Sequence, residues 1–180
     1  MRFRILFFRL LFPVIFLIAC AVALHMRDTD TRLPPPMRWD AMESHSLTAD
    51  MIDAKGKRMP AKELSDAKRI VLYFTASTNP AGNELTPKLV DFYRKKGGGK
   101  AFQLLFISRE KDDREMETYM RDAEMPWWGV RSSYTARKIT NAYQGDPMPC
   151  LILLDESGNV LADSHQGGTE AVLAAISDGR

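Results

Sequence analysis

Residues 69–95 read RIVLYFTASTNPAGNELTPKLVDFYRK, and this stretch decides the fold. Its first part, Ile70 to Phe74, is an unbroken apolar run of the kind that forms a strand buried on both faces. A polar loop from Thr75 to Asn83 follows. Apolar side chains then recur at helical spacing, at Leu85, Leu89, Val90, Phe92 and Tyr93. A strand, loop and helix in this order place the loop at the carboxyl end of a central strand, where the first helical amides point outward. We expect the functional site there.

The loop and helix together read TASTNPAGNELTPKLVDFY. This segment resembles the active-site segment of the tryparedoxin and nucleoredoxin branch of the thioredoxin superfamily, whose usual form is ASWCPPC followed by TPxLxxFY. At the matching positions this chain has Thr78 for the Trp, Asn79 for the first Cys, Pro80 for the first Pro, Ala81 for the second Pro and Gly82 for the second Cys. The frame of the motif is kept, and both cysteines are replaced.

Two further motifs agree with the resemblance, in the same chain order. They are MPWW at 125–128 and PMPCLILLDESGNVL at 147–161. The apolar patterns predict the element order β, β, α, β, α, α, β, β, α, with a lead-in hairpin that turns at residues 55–57 and a final helix over 169–180. This order indicates an α/β domain with a mixed central sheet and helices on both faces, as in thioredoxin. The resemblance covers about Leu47 to Ile176.

The replaced cysteines limit the chemistry of the loop. Thiol–disulfide exchange needs a thiolate that attacks and a second thiol that resolves the mixed disulfide. Asn79 and Gly82 supply neither, so dithiol reductase activity at this loop is excluded. The sequence leaves open whether the protein is an enzyme, and the missing cysteines favour a protein that is not.

The polar loop has two interpretations. Ser, Thr and Asn side chains are good helix caps and turn residues, so Ser77, Thr78, Asn79 and Asn83 can serve only to end the strand and start the helix. Alternatively, the helical amides bind an anion or a peptide carbonyl. The resemblance implies that Pro149 is the cis-proline facing the loop and that the backbone of Met148 pairs with an extended peptide, a form of β-augmentation.

The candidate binding surface therefore combines the loop with the proline segment. Its predicted members are Thr78, Asn79, Pro80, Gly82, Trp127, Met148 and Pro149. Trp127 is included because paired aromatic residues often anchor interfaces, although packing of one of them in the core is an equal alternative.

Cys150 directly follows Pro149 and is the only thiol between residues 47 and 180. It is interpreted either as a single reactive thiol beside the site or as a buried core cysteine at the start of the last central strand. The three histidines, His25, His45 and His165, stand among polar neighbours without ligand spacing, so the sequence predicts no metal site and no cofactor.

The first 24 residues form a targeting segment. MRFR is a positive leader, and an apolar run of about 20 residues follows, which is long enough to span a bilayer. Three fates stay open: a retained anchor, cleavage after residues 21–23, or lipidation of Cys20 in a bacterial lipobox. Each places the domain outside the cytoplasm, in the envelope or secreted. Residues 25–46 are rich in proline and read as a linker, and residues 47–180 form the domain.

Charge argues against nucleic acid as a partner. Three of the 25 basic residues lie in the acid-free targeting segment, so 22 basic residues stand against 23 acidic ones in the remainder. The sequence therefore predicts a membrane-tethered or exported thioredoxin-like protein without the redox dithiol, which binds a peptide or protein partner. The alternative is a monothiol redox protein that acts through Cys150 with an external resolving thiol.

Overall fold

The computed structural model describes residues 47–179. The predicted targeting segment with its lipidation candidate Cys20, and the predicted linker, lie outside these residues and stay predictions. Within the described range, no helix combines the length and apolar character needed to cross a membrane.

Strands and helices alternate along most of the described chain. The strands are β1 (Met51–Ile52), β2 (Arg69–Thr75), β3 (Gln103–Ser108), β4 (Trp128–Val130), β5 (Cys150–Asp155) and β6 (Val160–Asp163). The helices are α1 (Ala61–Ser65), α2 (Pro80–Lys95), α3 (Asp113–Asp122), α4 (Tyr134–Tyr143) and α5 (Ser164–Ser177). Helix α5 is interrupted at Gly168, whose φ of 75° is not helical. Its long second part therefore begins where the sequence predicted the final helix.

The strands form one mixed sheet in the order β1-β4-β3-β2-β5-β6. Strand β3 runs parallel to β2 and to β4, whereas β1, β5 and β6 pair antiparallel with their neighbours. Strand β2 lies between β3 and β5 and is buried from Ile70 to Thr75. The central position predicted for this strand is confirmed, and its carboxyl end leads directly into the loop before α2.

The sheet is covered on both faces, because successive side chains of β2 point to opposite sides. Ile70, Leu72 and Phe74 pack in one core cluster with residues of α1 and α4. Val71 and Tyr73 pack in a second cluster with residues of α2, α3 and α5. The loop between β2 and α2 thus connects a strand that packs in both core clusters to a helix that packs in only one of them.

Two short elements differ from the prediction. The lead-in hairpin is reduced to β1 and a single bridge between Ile52 and Arg58, and β1 pairs instead with β4. Strand β4, which spans three residues, was not predicted. Strands of two or three residues carry too few alternations for a periodic pattern, so only the tertiary pairing defines them.

Candidate functional site

Asn79 begins helix α2 and holds the loop in place. Its side-chain oxygen Oδ1 accepts a hydrogen bond of 2.8 Å from the Gly82 amide, and Pro80 occupies the first helical position. These are the preferred residues at the start of a helix, because the cap satisfies a free amide and Pro lacks one. The interpretation of Asn79 as a helix cap is confirmed.

The same side chain also reaches the proline segment. Asn79 Nδ2 donates a hydrogen bond of 3.2 Å to the Met148 carbonyl oxygen. The Met148–Pro149 peptide bond is cis, as the resemblance implied, and so is the preceding Asp146–Pro147 bond. Met148 is half-buried and packs against one core cluster. The structure therefore brings Asn79 and the Met148–Pro149 segment into direct contact.

Gly82 does not belong to the surface, which corrects its prediction as a binding residue. It is buried, its amide is bound by Asn79, and its carbonyl accepts from Tyr73 Oη at 3.2 Å and from Thr86 Oγ1 at 2.8 Å. A Cβ atom at this position would lie 2.1 Å from Thr75 Oγ1. The hydroxyl of Thr75 therefore fills the space that a second thiol would need.

The two donors of Ser77, in the loop, are occupied by a carboxylate of the protein itself. Glu110, just beyond β3, accepts hydrogen bonds from the Ser77 amide and from Ser77 Oγ, the latter at 3.2 Å. Asn83 Nδ2 donates to the Ser77 carbonyl at 2.7 Å. An external anion would have to displace Glu110 from Ser77, and the helical amide of Gly82 already donates to Asn79 Oδ1, so this geometry disfavours the interpretation of the loop as an anion site. Thr78 and Pro80 remain exposed.

An open groove of about 500 Å³ lies between the loop and helix α3. Its lining includes Ser77 and three carboxylates, Asp112, Glu115 and Asp122, against the single guanidinium of Arg114. The excess of negative charge favours cationic groups in this groove. The groove was not predicted from the sequence, because its lining comes from the loop and from a helix that lies about 35 residues further along the chain.

Trp127 lies in the core, which corrects its prediction as a rim residue. Its side chain is 1% exposed, and its ring makes edge contacts with Tyr73 and Tyr93 at centroid distances of 6.3 and 5.6 Å. The residue just precedes β4, and the alternation of that strand turns it inward. Trp128 is half-buried and packs on the opposite core cluster.

Cys150 is fully buried at the start of β5, as the core interpretation expected. Burial raises the pKa of its thiol to about 11. Its Sγ lies 3.7 Å from Nδ1 of His165, and the same Nδ1 lies 3.2 Å from Oδ1 of Asp163. On the other side of the ring, Nε2 lies 3.1 Å from the Pro147 carbonyl oxygen. Cys150, Asp163 and His165 thus form one group of side chains, the Cys150 cluster.

The cluster was not predicted from the sequence, because its members lie up to 15 positions apart. The β5–β6 hairpin joins them: Ile152 pairs with Asp163 in the antiparallel register, which places the end of β6 beside the start of β5. Asp163 then caps α5 by accepting from the His165 amide at 2.8 Å. An Asp-x-His triplet at the junction of a hairpin and a helix was the available signal.

Comparison with known proteins agrees with this geometry. The family model described as Thioredoxin-like matches residues 66–160. Human nucleoredoxin is 29% identical over 129 residues, which are 70% of this chain and 28% of nucleoredoxin. The chain thus spans little more than a quarter of that relative. Tryparedoxin of Trypanosoma brucei brucei is 27% identical over 114 residues, which cover 62% of this chain and 74% of tryparedoxin.

A solved structure shows the same fold. Tryparedoxin I from Leishmania major superposes with a TM-score of 0.61 at 23% identity, over 76% of this chain and 94% of that protein. The structural match and the sequence matches therefore point to the same family. The chain therefore belongs to the thioredoxin-like family and is related to its nucleoredoxins and tryparedoxins.

Proposed function

We propose that this protein is a thioredoxin-like binding module without a redox dithiol, which holds an extended segment of a protein partner beside Asn79 and Met148. One observation carries the proposal. The residue at the first cysteine position, Asn79, is built into the structure as a cap and as a bridge to the Met148 carbonyl. The site surface is thus assembled by hydrogen bonds that need no thiol.

The replaced positions argue against dithiol chemistry at this surface. Exchange requires two thiols in reach of each other. The described residues contain a single cysteine, Cys150, and it is buried at the start of β5. Gly82 stands at the position of the resolving thiol, and the Thr75 side chain leaves no space for a larger residue there.

The Met148–Pro149 segment offers an extended peptide a hydrogen-bond acceptor and an apolar contact. A carbonyl oxygen has two lone pairs, so the Met148 carbonyl can accept from a partner amide in addition to Asn79. The half-exposed Met148 side chain adds a flexible apolar contact of the kind that adapts to varied partners. The acidic groove near Ser77 adds a preference for a partner segment that carries Lys or Arg.

We place this module outside the cytoplasm, tethered or secreted through residues 1–24. The proposal rests on the basic leader and the long apolar run of that segment, and it includes the three fates of anchor, cleavage or lipidation at Cys20. Fractionation of cells that express the full chain, with and without Cys20→Ser, tests it. Recovery of the unmodified chain in the cytoplasm would contradict it.

A peptide array tests the binding proposal. The full chain is applied to immobilised extended peptides with varied numbers of Lys and Arg, and the strongest binders are measured in solution. Met148→Arg places a charge on the proposed contact and should weaken binding about tenfold or more, or about 1.4 kcal/mol. The matched control is Leu161→Arg, the same type of change at a 45% exposed site on β6, which should leave binding unchanged. Equal binding by both variants would refute the proposed surface.

A monothiol protein acting through Cys150 is the second candidate, and the 3.7 Å contact with His165 Nδ1 favours it. An imidazole at this position can take the thiol proton and create the reactive thiolate. Full burial of the thiol opposes it, because an attacking sulfur must reach its substrate. Rapid alkylation of the folded protein by iodoacetamide, lost in Cys150→Ser, would support this candidate over the binding module.

A further inference from the structure

We propose that Cys150, Asp163 and His165 form a binding site for a zinc-type divalent cation beneath the cis-proline segment. This site goes beyond the proposed function, since it needs no peptide partner. Thiolate, imidazole and carboxylate together are a typical ligand set of zinc and are less suited to the hard cations calcium and magnesium.

The distances within the Cys150 cluster fit one cation. The three ligand atoms lie within 4.8 Å of one another, with Sγ to Nδ1 at 3.7 Å and Nδ1 to the Asp163 carboxylate at 3.2 Å. Bond lengths of about 2.3 Å to sulfur and about 2.0–2.1 Å to nitrogen and oxygen, at tetrahedral angles, give separations of about 3.6 and 3.3 Å. Two of the three separations therefore already match those of a shared metal, and the third, between Sγ and the Asp163 carboxylate, is no longer than 4.8 Å.

The orientation of His165 supports the same conclusion. Its Nε2 lies 3.1 Å from the Pro147 carbonyl oxygen, so this nitrogen can donate a hydrogen bond there. In that tautomer the lone pair is on Nδ1, the nitrogen that faces both Cys150 and Asp163 and would bind the metal. A ligating histidine that donates its other N–H to a backbone carbonyl is the common outer-shell arrangement of metal sites.

The arrangement differs from that of a nucleophile activated by a triad. In a triad the acid bonds to the ring nitrogen opposite the one that serves the nucleophile. Here Asp163 and Cys150 approach the same nitrogen, which can share only one proton between them. A cation between the three atoms satisfies all of them at once.

The site is open on one side. The side chains of His165 and Asp163 are 25% and 19% exposed, whereas Cys150 is fully buried. A cation can therefore enter from solvent past the hairpin end and keep a water as its fourth ligand. Binding replaces the proton of the Cys150 thiol by the metal and releases that proton to solvent, so no oxidant or reductant takes part.

Titration of the full chain with Co²⁺ tests the proposal. The background carries Cys20→Ser, His25→Gln and His45→Gln, which leaves the Cys150 cluster as the only place with a thiol and an imidazole. We expect a thiolate-to-cobalt charge-transfer band that saturates at one equivalent and is removed by Zn²⁺. The band does not depend on peptide binding, so its outcome is separate from that of the peptide array.

Three substitutions in this background locate the metal. Cys150→Ser should abolish the band. His165→Gln changes a solvent-accessible ligand and should weaken Co²⁺ binding more than about 100-fold, beyond the 10- to 100-fold typical for loss of an outer-shell partner. Asp91→Asn, an exposed carboxylate on α2, is the control and should bind like the background. Absence of the band, or an unchanged affinity in His165→Gln, would overturn the proposal.

Discussion

Adding one methyl group at Gly82 should show that Thr75 occupies the place of the second thiol. In Gly82→Ala the new Cβ would lie 2.1 Å from Thr75 Oγ1 and 3.3 Å from Thr75 Cβ, inside a buried contact. Overpacking of this kind costs about 1–3 kcal/mol. Because Ala is favoured over Gly in a helix by up to about 1 kcal/mol, the net loss of unfolding free energy should be roughly 0–2 kcal/mol.

The effect of Gly82→Ala on the unfolding free energy should change sign when the Thr75 hydroxyl is removed. In a Thr75→Ala background the hydroxyl is absent, so Gly82→Ala should stabilise the protein by up to about 1 kcal/mol. The coupling energy between positions 75 and 82 should then be about 1–3 kcal/mol, in the range measured for residues in direct contact.

Equilibrium unfolding in urea measures this cycle. The parent chain, both single variants and the double variant are compared at constant m-value. Ala174→Gly, the reverse exchange at an exposed site on α5, is the control and should cost the same with Thr75 or Ala at position 75. A coupling energy below about 0.5 kcal/mol would refute the claim that Thr75 fills this space.

Three further predictions concern the cap, the core and the thiol. Asn79→Ala should cost about 1–2 kcal/mol by urea unfolding, because the cap is lost, whereas Asn79→Asp should cost less because it keeps the capping oxygen. Trp127→Ala should cost about 3–5 kcal/mol; a loss below 1 kcal/mol would contradict its place in the core. Burial raises the pKa of Cys150 from 9.0 to about 11, so the unfolded chain ionises first. The stability from this group is complete below pH 9.0 and is lost as pH rises toward 11. Between pH 9.0 and 11, the Cys150→Ala variant should therefore lose less unfolding free energy than the parent chain, as measured in urea. Identical pH profiles for the two proteins would contradict the raised pKa.

The sequence predicted the order of the long elements because each carries its own periodic signal. The apolar run of β2 and the helical spacing of Leu89, Val90 and Tyr93 in α2 are local features, and all of these residues are buried as expected. Strand β4 was not predictable in this way, because three residues become a strand only when β1 and β3 pair with them.

The sequence predicted the local contacts of the candidate site but not the contacts between residues that are distant along the chain. The cap of Asn79 follows from its position before Pro80. The family resemblance placed Pro149 opposite the loop, but it did not predict the hydrogen bond from Asn79 to the Met148 carbonyl. The obstruction of Gly82 by Thr75 and the cluster of Cys150 with His165 depend on tertiary distances, which no spacing in the sequence reports.

Restoring the dithiol is the sharpest test of the proposal that this chain keeps a thioredoxin-like scaffold and lacks the dithiol needed for reductase chemistry. The parent chain, Thr75→Ala, and the triple variant Thr75→Ala, Asn79→Cys, Gly82→Cys are compared for reduction of a protein disulfide with dithiothreitol as electron source. Thr75→Ala is included because it clears the space for the second thiol. We predict no turnover above background for the first two proteins and measurable turnover for the triple variant. Turnover by the parent that is lost in Cys150→Ser would contradict the account.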